Sequence, residues 1–247
     1  MSLDKNIKEN TMTFFDYTSL TDEVQHGLTL LERLLPVIVL FIFIFLIYKY
    51  KDTLRNYKNE HKIRYVFGSL MLIGELSFII WNFTHSLNGE VRFINTLPLQ
   101  LCSYAIWGLA FVMFTKSKRV YTTVFIFSIV SVLALIFPNL NHGFNSFRYY
   151  QLYFSHSLLI LALIYLYKVH GLYPNKKDFI NSFIVLQVII VYSLILNAIL
   201  DTDFLFIGEG NKPIDFAWDW PLHMIQYELF MIFIYYLFYR ILKKVKN

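Results

Sequence analysis

Residues 28–48, 63–83, 97–115, 120–138, 150–168, 178–200 and 222–242 form seven apolar blocks separated by short polar stretches. A bilayer core about 30 Å thick is crossed by about 20 helical residues, and each block approaches or exceeds that length. A backbone in lipid must satisfy its own hydrogen bonds, and the alternation of a membrane barrel is absent, so the blocks are expected to be helices. The fold class expected is therefore all-α, a polytopic membrane bundle of seven transmembrane helices. Composition agrees: the chain is 57% hydrophobic and 19% aromatic, more apolar surface than a soluble interior formed by 247 residues can hide. Residues 28–247 read as one membrane domain, preceded by a polar tail over residues 1–27.

Charge tests that reading. The net charge of +5 does not gather into a basic stripe, and no nucleic-acid-binding signature is present, so a nucleic-acid partner is excluded. Instead the first connection carries Lys49, Lys51, Arg55, Lys58 and Lys62, the third Lys116, Lys118 and Arg119, and the fifth Lys168, Lys176 and Lys177. The second and fourth have only Arg92 and Arg148, the sixth has Lys212 among acids, and the C-terminal end again is basic through Arg240, Lys243, Lys244 and Lys246. By the positive-inside rule this strict alternation puts the N-terminus outside and the C-terminus in the cytoplasm. The polar first 27 residues and the absence of a small-residue cleavage site argue against a cleavable signal peptide. No internal repeat or pair of broken helices marks a transporter.

With topology assigned, the polar residues sort to one side. His26 and Glu32, Asn82 and His85, Gln100 and Cys102, Arg148 and His156, Asn197 and Asp201, and His223 and Glu228 all fall toward the outer ends of their blocks. Only Glu75 stands near mid-membrane, and the cytoplasmic halves are apolar. A shared polar pocket opening outward is the functional reading. Residence in the headgroup zone is the plain alternative, which accounts well for His26, His85, Arg148, Asp201 and Asp219 and poorly for Glu75, His156 and Glu228.

Cys102, the single cysteine, and His156 fall five and six residues into their blocks, about 7–9 Å below the same surface at 1.5 Å per residue. A thiol and an imidazole at matched depth are the requirement of nucleophilic acyl transfer. Glu228 or Glu75 could orient the ring as a third group, and Gln100, Ser103 or Asn82 could steady an oxyanion. Against this, a lone cysteine in an apolar helix is commonly packing, and His156 could bond a neighbouring helix. Glu228 could also be half of an ion pair with Arg148 or Arg33. His156, His223 and Glu228 lack the tight spacing of a metal motif, so no metal and no cofactor is expected.

The stretch Leu97-Pro98-Leu99-Gln100-Leu101-Cys102-Ser103 resembles the LPLxLC motif of the YwaF-like family of bacterial integral membrane proteins. His26, Phe154-Ser155-His156, Trp218-Asp219-Trp220-Pro221 and Glu228 are similar to that family's elements in order and spacing. Where the family reads closer to GTNY, this chain has Asp201-Thr202-Asp203-Phe204. The family is distantly similar to a eukaryotic transmembrane acyltransferase that remodels ether phospholipids, and to membrane hydrolases of branched fatty-acid esters. The resemblance implies a bacterial cytoplasmic-membrane protein in which Cys102 accepts the acyl group and His156 assists. The expected function is a membrane-embedded lipid acyltransferase or esterase with His223, His26 and Asn197 among the pocket residues and membrane lipids as partners. The competing expectation is a non-enzymatic binding or transport protein for a small solute or lipid headgroup.

Overall fold

A computed structural model describes residues 14–16, 28–138, 140, 143–208 and 218–246, with side chains to residue 241. Its long helices are α1 (Leu30–Asn56), α2 (Glu60–Leu87), α3 (Leu101–Thr115) and α4 (Lys118–Val130), the single turn α5 (Leu133–Ile136), then α6 (Phe147–His170), α7 (Lys176–Leu200) and α8 (Leu222–Lys246). Short 3₁₀ turns at Phe93–Thr96 and Phe204–Phe206 precede α3 and follow α7. Seven helical segments among the described residues are long and apolar enough to cross a membrane, with α4 and α5 together making the fourth. No strand occurs among the described residues. The all-α, seven-helix reading holds.

Local chemistry explains the ends. Thr29 and Glu32 form a capping box that opens α1, and Asn175 with Asp178 does the same for α7. Gly171 closes α6 at φ 66°, a left-handed position that glycine adopts without a Cβ penalty. The α4–α5 break has neither glycine nor proline. The Ser128 and Ser131 hydroxyls bond back to the Val124 and Phe127 carbonyls at 2.8 and 2.9 Å, competing with the backbone ladder where the helix gives way.

α6 is the hub. It packs against α1, α2, α3, α4 and α5, and 72% of its membrane window is buried against 11% for α1. The α2–α3, α3–α4 and α2–α6 pairs pack closely, helped by Gly68, Gly108 and Gly74, whose missing Cβ atoms leave room for Phe114, Val124 and Ser155 in turn. α7 lies on α4, and α8 lies on α7 at the periphery. At the basic end Arg55 donates to the Val169 and Lys168 carbonyls at 2.9 and 2.7 Å, closing the last turn of α6. There too Glu60 accepts from Tyr165, His170 and Arg64, whose guanidinium also reaches the Met113 carbonyl of α3.

A polar cluster where α2, α3 and α6 meet

Pro98 bears on where α3 begins. Proline disfavours helix in the residue before it, and Leu97 and Gln100 are extended (ψ 136° and 153°). α3 thus starts at Leu101, and Cys102 is its second residue rather than the sixth of a longer helix. The sulfur therefore sits in the first turn of a helix, where amide hydrogens lack intrahelical partners and the macrodipole is positive. The Ser103 and Tyr104 amides donate to the Gln100 carbonyl at 3.0 and 3.2 Å, and Sγ lies near the amides of Cys102 and Ser103. Cys102 is partly exposed.

Glu75 of α2 faces this turn. Glu75 is 2% exposed, its carboxyl lies beside the Ser103 side chain, and Oε1 has no hydrogen-bond partner among the described residues. From α6 comes Arg148, the residue that links the group: its guanidinium is within electrostatic reach of Glu75, Cys102 and His156. It lies 4.3 Å from the centroid of Phe78, one turn along α2 from Glu75, and donates to Gln151 Oε1. Gln151 in turn donates through Nε2 to Gly74 O at 3.3 Å and Ser155 Oγ at 3.2 Å, tying α6 to α2 where the helices approach most closely. His156 is buried, 6% exposed, with Nδ1 2.9 Å from the Leu152 carbonyl. A carbonyl only accepts, so Nδ1 carries the hydrogen and the neutral ring presents its lone pair at Nε2.

The remaining expected site residues fall elsewhere. Asn82 is buried on α2 two turns beyond Glu75. Gln100 caps no amide of α3 and instead accepts from Leu205 N at 3.0 Å, while Asn197 accepts from Phe204 N at 2.8 Å and donates to Phe204 O at 3.0 Å. Both hold the turn that follows α7, in which Asp201, Leu205 and Phe206 all adopt positive φ. A cleft of about 230 Å³ lies against this turn, lined by Asn95, Gln100, Asp203, Phe204 and Phe206; it reaches the residue two before Cys102 but is lined by neither Cys102 nor His156. Glu228 accepts from Gln187 of α7 at 2.8 Å. His223 is 1% exposed, with its ring against Tyr227 and no hydrogen bond to either nitrogen among the described residues. No three His, Cys, Asp or Glu side chains converge as metal ligands among the described residues. His26 and most of the N-terminal tail lie outside the described residues.

Arg148 stands two residues before its apolar block, where headgroup residence accounts for it well, and in the structure it is the residue that links this cluster. Its signal was spacing: Arg148, Gln151 and Ser155 recur at three and four residues, one polar stripe on an otherwise apolar helix.

Residues 23–239 match the TMEM164 family. The chain belongs to that family. The match spans all seven membrane segments and the whole α2–α3–α6 cluster, and it is a match to the TMEM164 family rather than to the YwaF-like family that the LPLQLC stretch resembles; the bacterial name is not carried by it. No curated protein and no solved structure matches the chain.

Proposed function

We propose that this TMEM164-family protein is a membrane-embedded lipid acyltransferase whose nucleophile is Cys102 and whose base is His156. What supports this reading is that the Arg148 guanidinium of α6 lies within electrostatic reach of the chain's single cysteine, of the buried Glu75 carboxyl and of the buried His156. Ionisable groups inside a membrane bundle are costly and are retained where they act.

In this reading Cys102 Sγ attacks the carbonyl carbon of a lipid ester while its proton passes to Nε2 of His156. The oxyanion that forms lies at the start of α3, within reach of amide donors and the Arg148 guanidinium. Collapse of the tetrahedral intermediate breaks the ester C–O bond, and the departing lyso-lipid alkoxide takes the proton back from His156. The acyl group is then a thioester on Cys102. A lipid hydroxyl attacks that thioester, gives its proton to His156, and leaves as the new ester with the thiol restored. Glu75 balances Arg148 and, through Ser103, steadies the first turn of α3. The excess of lysine and arginine at the opposite end of the bundle supports an outward-facing site in the outer leaflet, and the YwaF-like resemblance supports a bacterial cytoplasmic membrane as its location.

The test is a thioester search. Protein reconstituted into vesicles containing a phospholipid with a labelled acyl chain is digested, and the Cys102 peptide is weighed with and without hydroxylamine. A hydroxylamine-labile acyl adduct is expected, together with a loss of transfer of about 10²–10⁴-fold in Cys102→Ser. A Cys102→Ser protein that transfers acyl chains at the wild-type rate overturns the reading and leaves binding or transport in its place.

A further inference from the structure

Residues 14–16 cross the end of the bundle beside this cluster, and they are held there by backbone atoms. The Phe14 carbonyl accepts from Phe147 N at 2.7 Å. It supplies the helix-start contact that Ser146, whose side chain makes no cap hydrogen bond, does not. The Phe15 carbonyl accepts from Trp81 Nε1 at 2.8 Å and faces His85 Nε2 at 2.9 Å. Both rings then pack on the helix ends: Phe14 lies 5.8 Å from Tyr150 and 6.3 Å from Phe147, and Phe15 lies 5.5 Å from Phe147. The aromatic layer continues inward, with Trp81 5.9 Å from Phe147 and stacked on Phe78 at 6.4 Å, and Phe78 carrying Arg148. An unbroken path of rings therefore runs from the strap to the guanidinium that neighbours Cys102.

We propose that this strap is a water seal that directs the acyl-Cys102 thioester to lipid acceptors instead of hydrolysis. The inference rests on the acyl-transfer reading for its chemistry, while the seal itself is a matter of access. A thioester has two fates: a lipid hydroxyl attacks and yields an ester and the thiol, or water attacks and yields a fatty acid and the thiol. In this proposal the acceptor reaches the cluster from the bilayer between helices, and the competing water enters over the ends of α2 and α6 that residues 14–16 contact. Excluding water from a site that holds a reactive intermediate suppresses the second fate. The seal makes Phe14 and Phe15 specificity-determining residues that touch no reacting atom.

Because the chain has one cysteine, thiol labelling reads the seal without ambiguity. The full-length protein in vesicles is treated with a charged, membrane-impermeant methanethiosulfonate and, separately, with membrane-permeant N-ethylmaleimide. The Phe15→Ala variant and the Trp81→Phe variant, which keeps a ring but removes the indole donor, are expected to react about tenfold faster with the charged reagent, equivalent to about 1.4 kcal/mol of lost closure. N-ethylmaleimide rates should stay within about twofold. The same variants should release more free fatty acid per acyl chain transferred. Unchanged labelling by the charged reagent overturns the seal, as does an equal rise with both reagents, which marks a loosened bundle. If no acyl-Cys102 forms in any protein the acyl-transfer reading falls, and the seal's chemical role with it, while labelling still decides whether residues 14–16 close the site to water.

Discussion

Gly74→Ala tests the packing that holds Arg148 in place. An ideal Cβ at Gly74 would stand 2.7 Å from Ser155 Oγ and 3.3 Å from Phe154 Cδ1. Ordinary contact begins near 3.4 Å, so the hydroxyl has to retreat by about 0.7 Å or the helices must part. Ser155 is 1% exposed and its Oγ accepts from Gln151, so retreat sacrifices a buried hydrogen bond worth about 0.5–1.5 kcal/mol. Overpacking adds about 1–3 kcal/mol, and the better helix propensity of alanine returns about 0.5–1. A net destabilisation of about 1–3 kcal/mol is expected, a fall in melting temperature of about 3–10 °C on the scale of globular chains this long. Thermal unfolding of the detergent-solubilised protein, followed by tryptophan fluorescence, measures it. Ser155→Ala removes the clashing oxygen, so the double variant should recover at least half of the loss, with a coupling of about 1 kcal/mol in the four-protein cycle. A Gly74→Ala protein as stable as the wild type, or a strictly additive cycle, would refute the close α2–α6 approach.

Other outcomes follow from named contacts. His156→Asn keeps an amide where Nδ1–H meets the Leu152 carbonyl but has nothing at Nε2, so melting should shift by no more than about 3 °C while acyl transfer falls about 10²-fold or more; equal losses of both would make His156 a packing residue. Glu60→Gln leaves the Arg64 guanidinium, 5% exposed, facing an uncharged partner and disturbs the bonds to Tyr165 and His170. It should cost about 3 kcal/mol by denaturant or thermal unfolding, with little change between low and high salt because the pair is shielded from solvent. Gln100→Ala frees Leu205 N from its 3.0 Å bond and should raise amide hydrogen exchange in residues 201–208 while leaving the α2–α6 contacts protected.

The seven-helix architecture was legible because it depends on apolar length alone, and the blocks and helices differ chiefly at their ends. α1 runs to Asn56 although its apolar block ends at residue 48, because Lys49, Lys51 and Arg55 are good helix formers whose stems reach past the lipid. The α4–α5 break was hidden for the opposite reason: serines bonding back to the chain leave no mark in hydropathy. At the site, Cys102, His156 and Glu75 were visible as polar residues in apolar blocks. Glu228 was visible for the same reason, yet it belongs to Gln187, since hydropathy reports depth and not which helix stands opposite. Pro98 carried the information that α3 starts late, and a backbone rule rather than an apolar count was needed to read it.

The central position of α6 also sets an order of assembly. α6 is the fifth of the seven spans to emerge from the ribosome, so Glu75 and Cys102 are already in place on α2 and α3 before Arg148, Gln151 and His156 exist in the chain. Until then Glu75 on α2 lacks the Arg148 guanidinium beside it, and the half-built bundle presents an open face on α1, α2 and α3, three of the helices that α6 later covers. Arrival of one helix supplies Arg148 and the packing partner together, so the polar cluster is assembled and this face is covered in the same step of synthesis, before α7 and α8 add their part of the core.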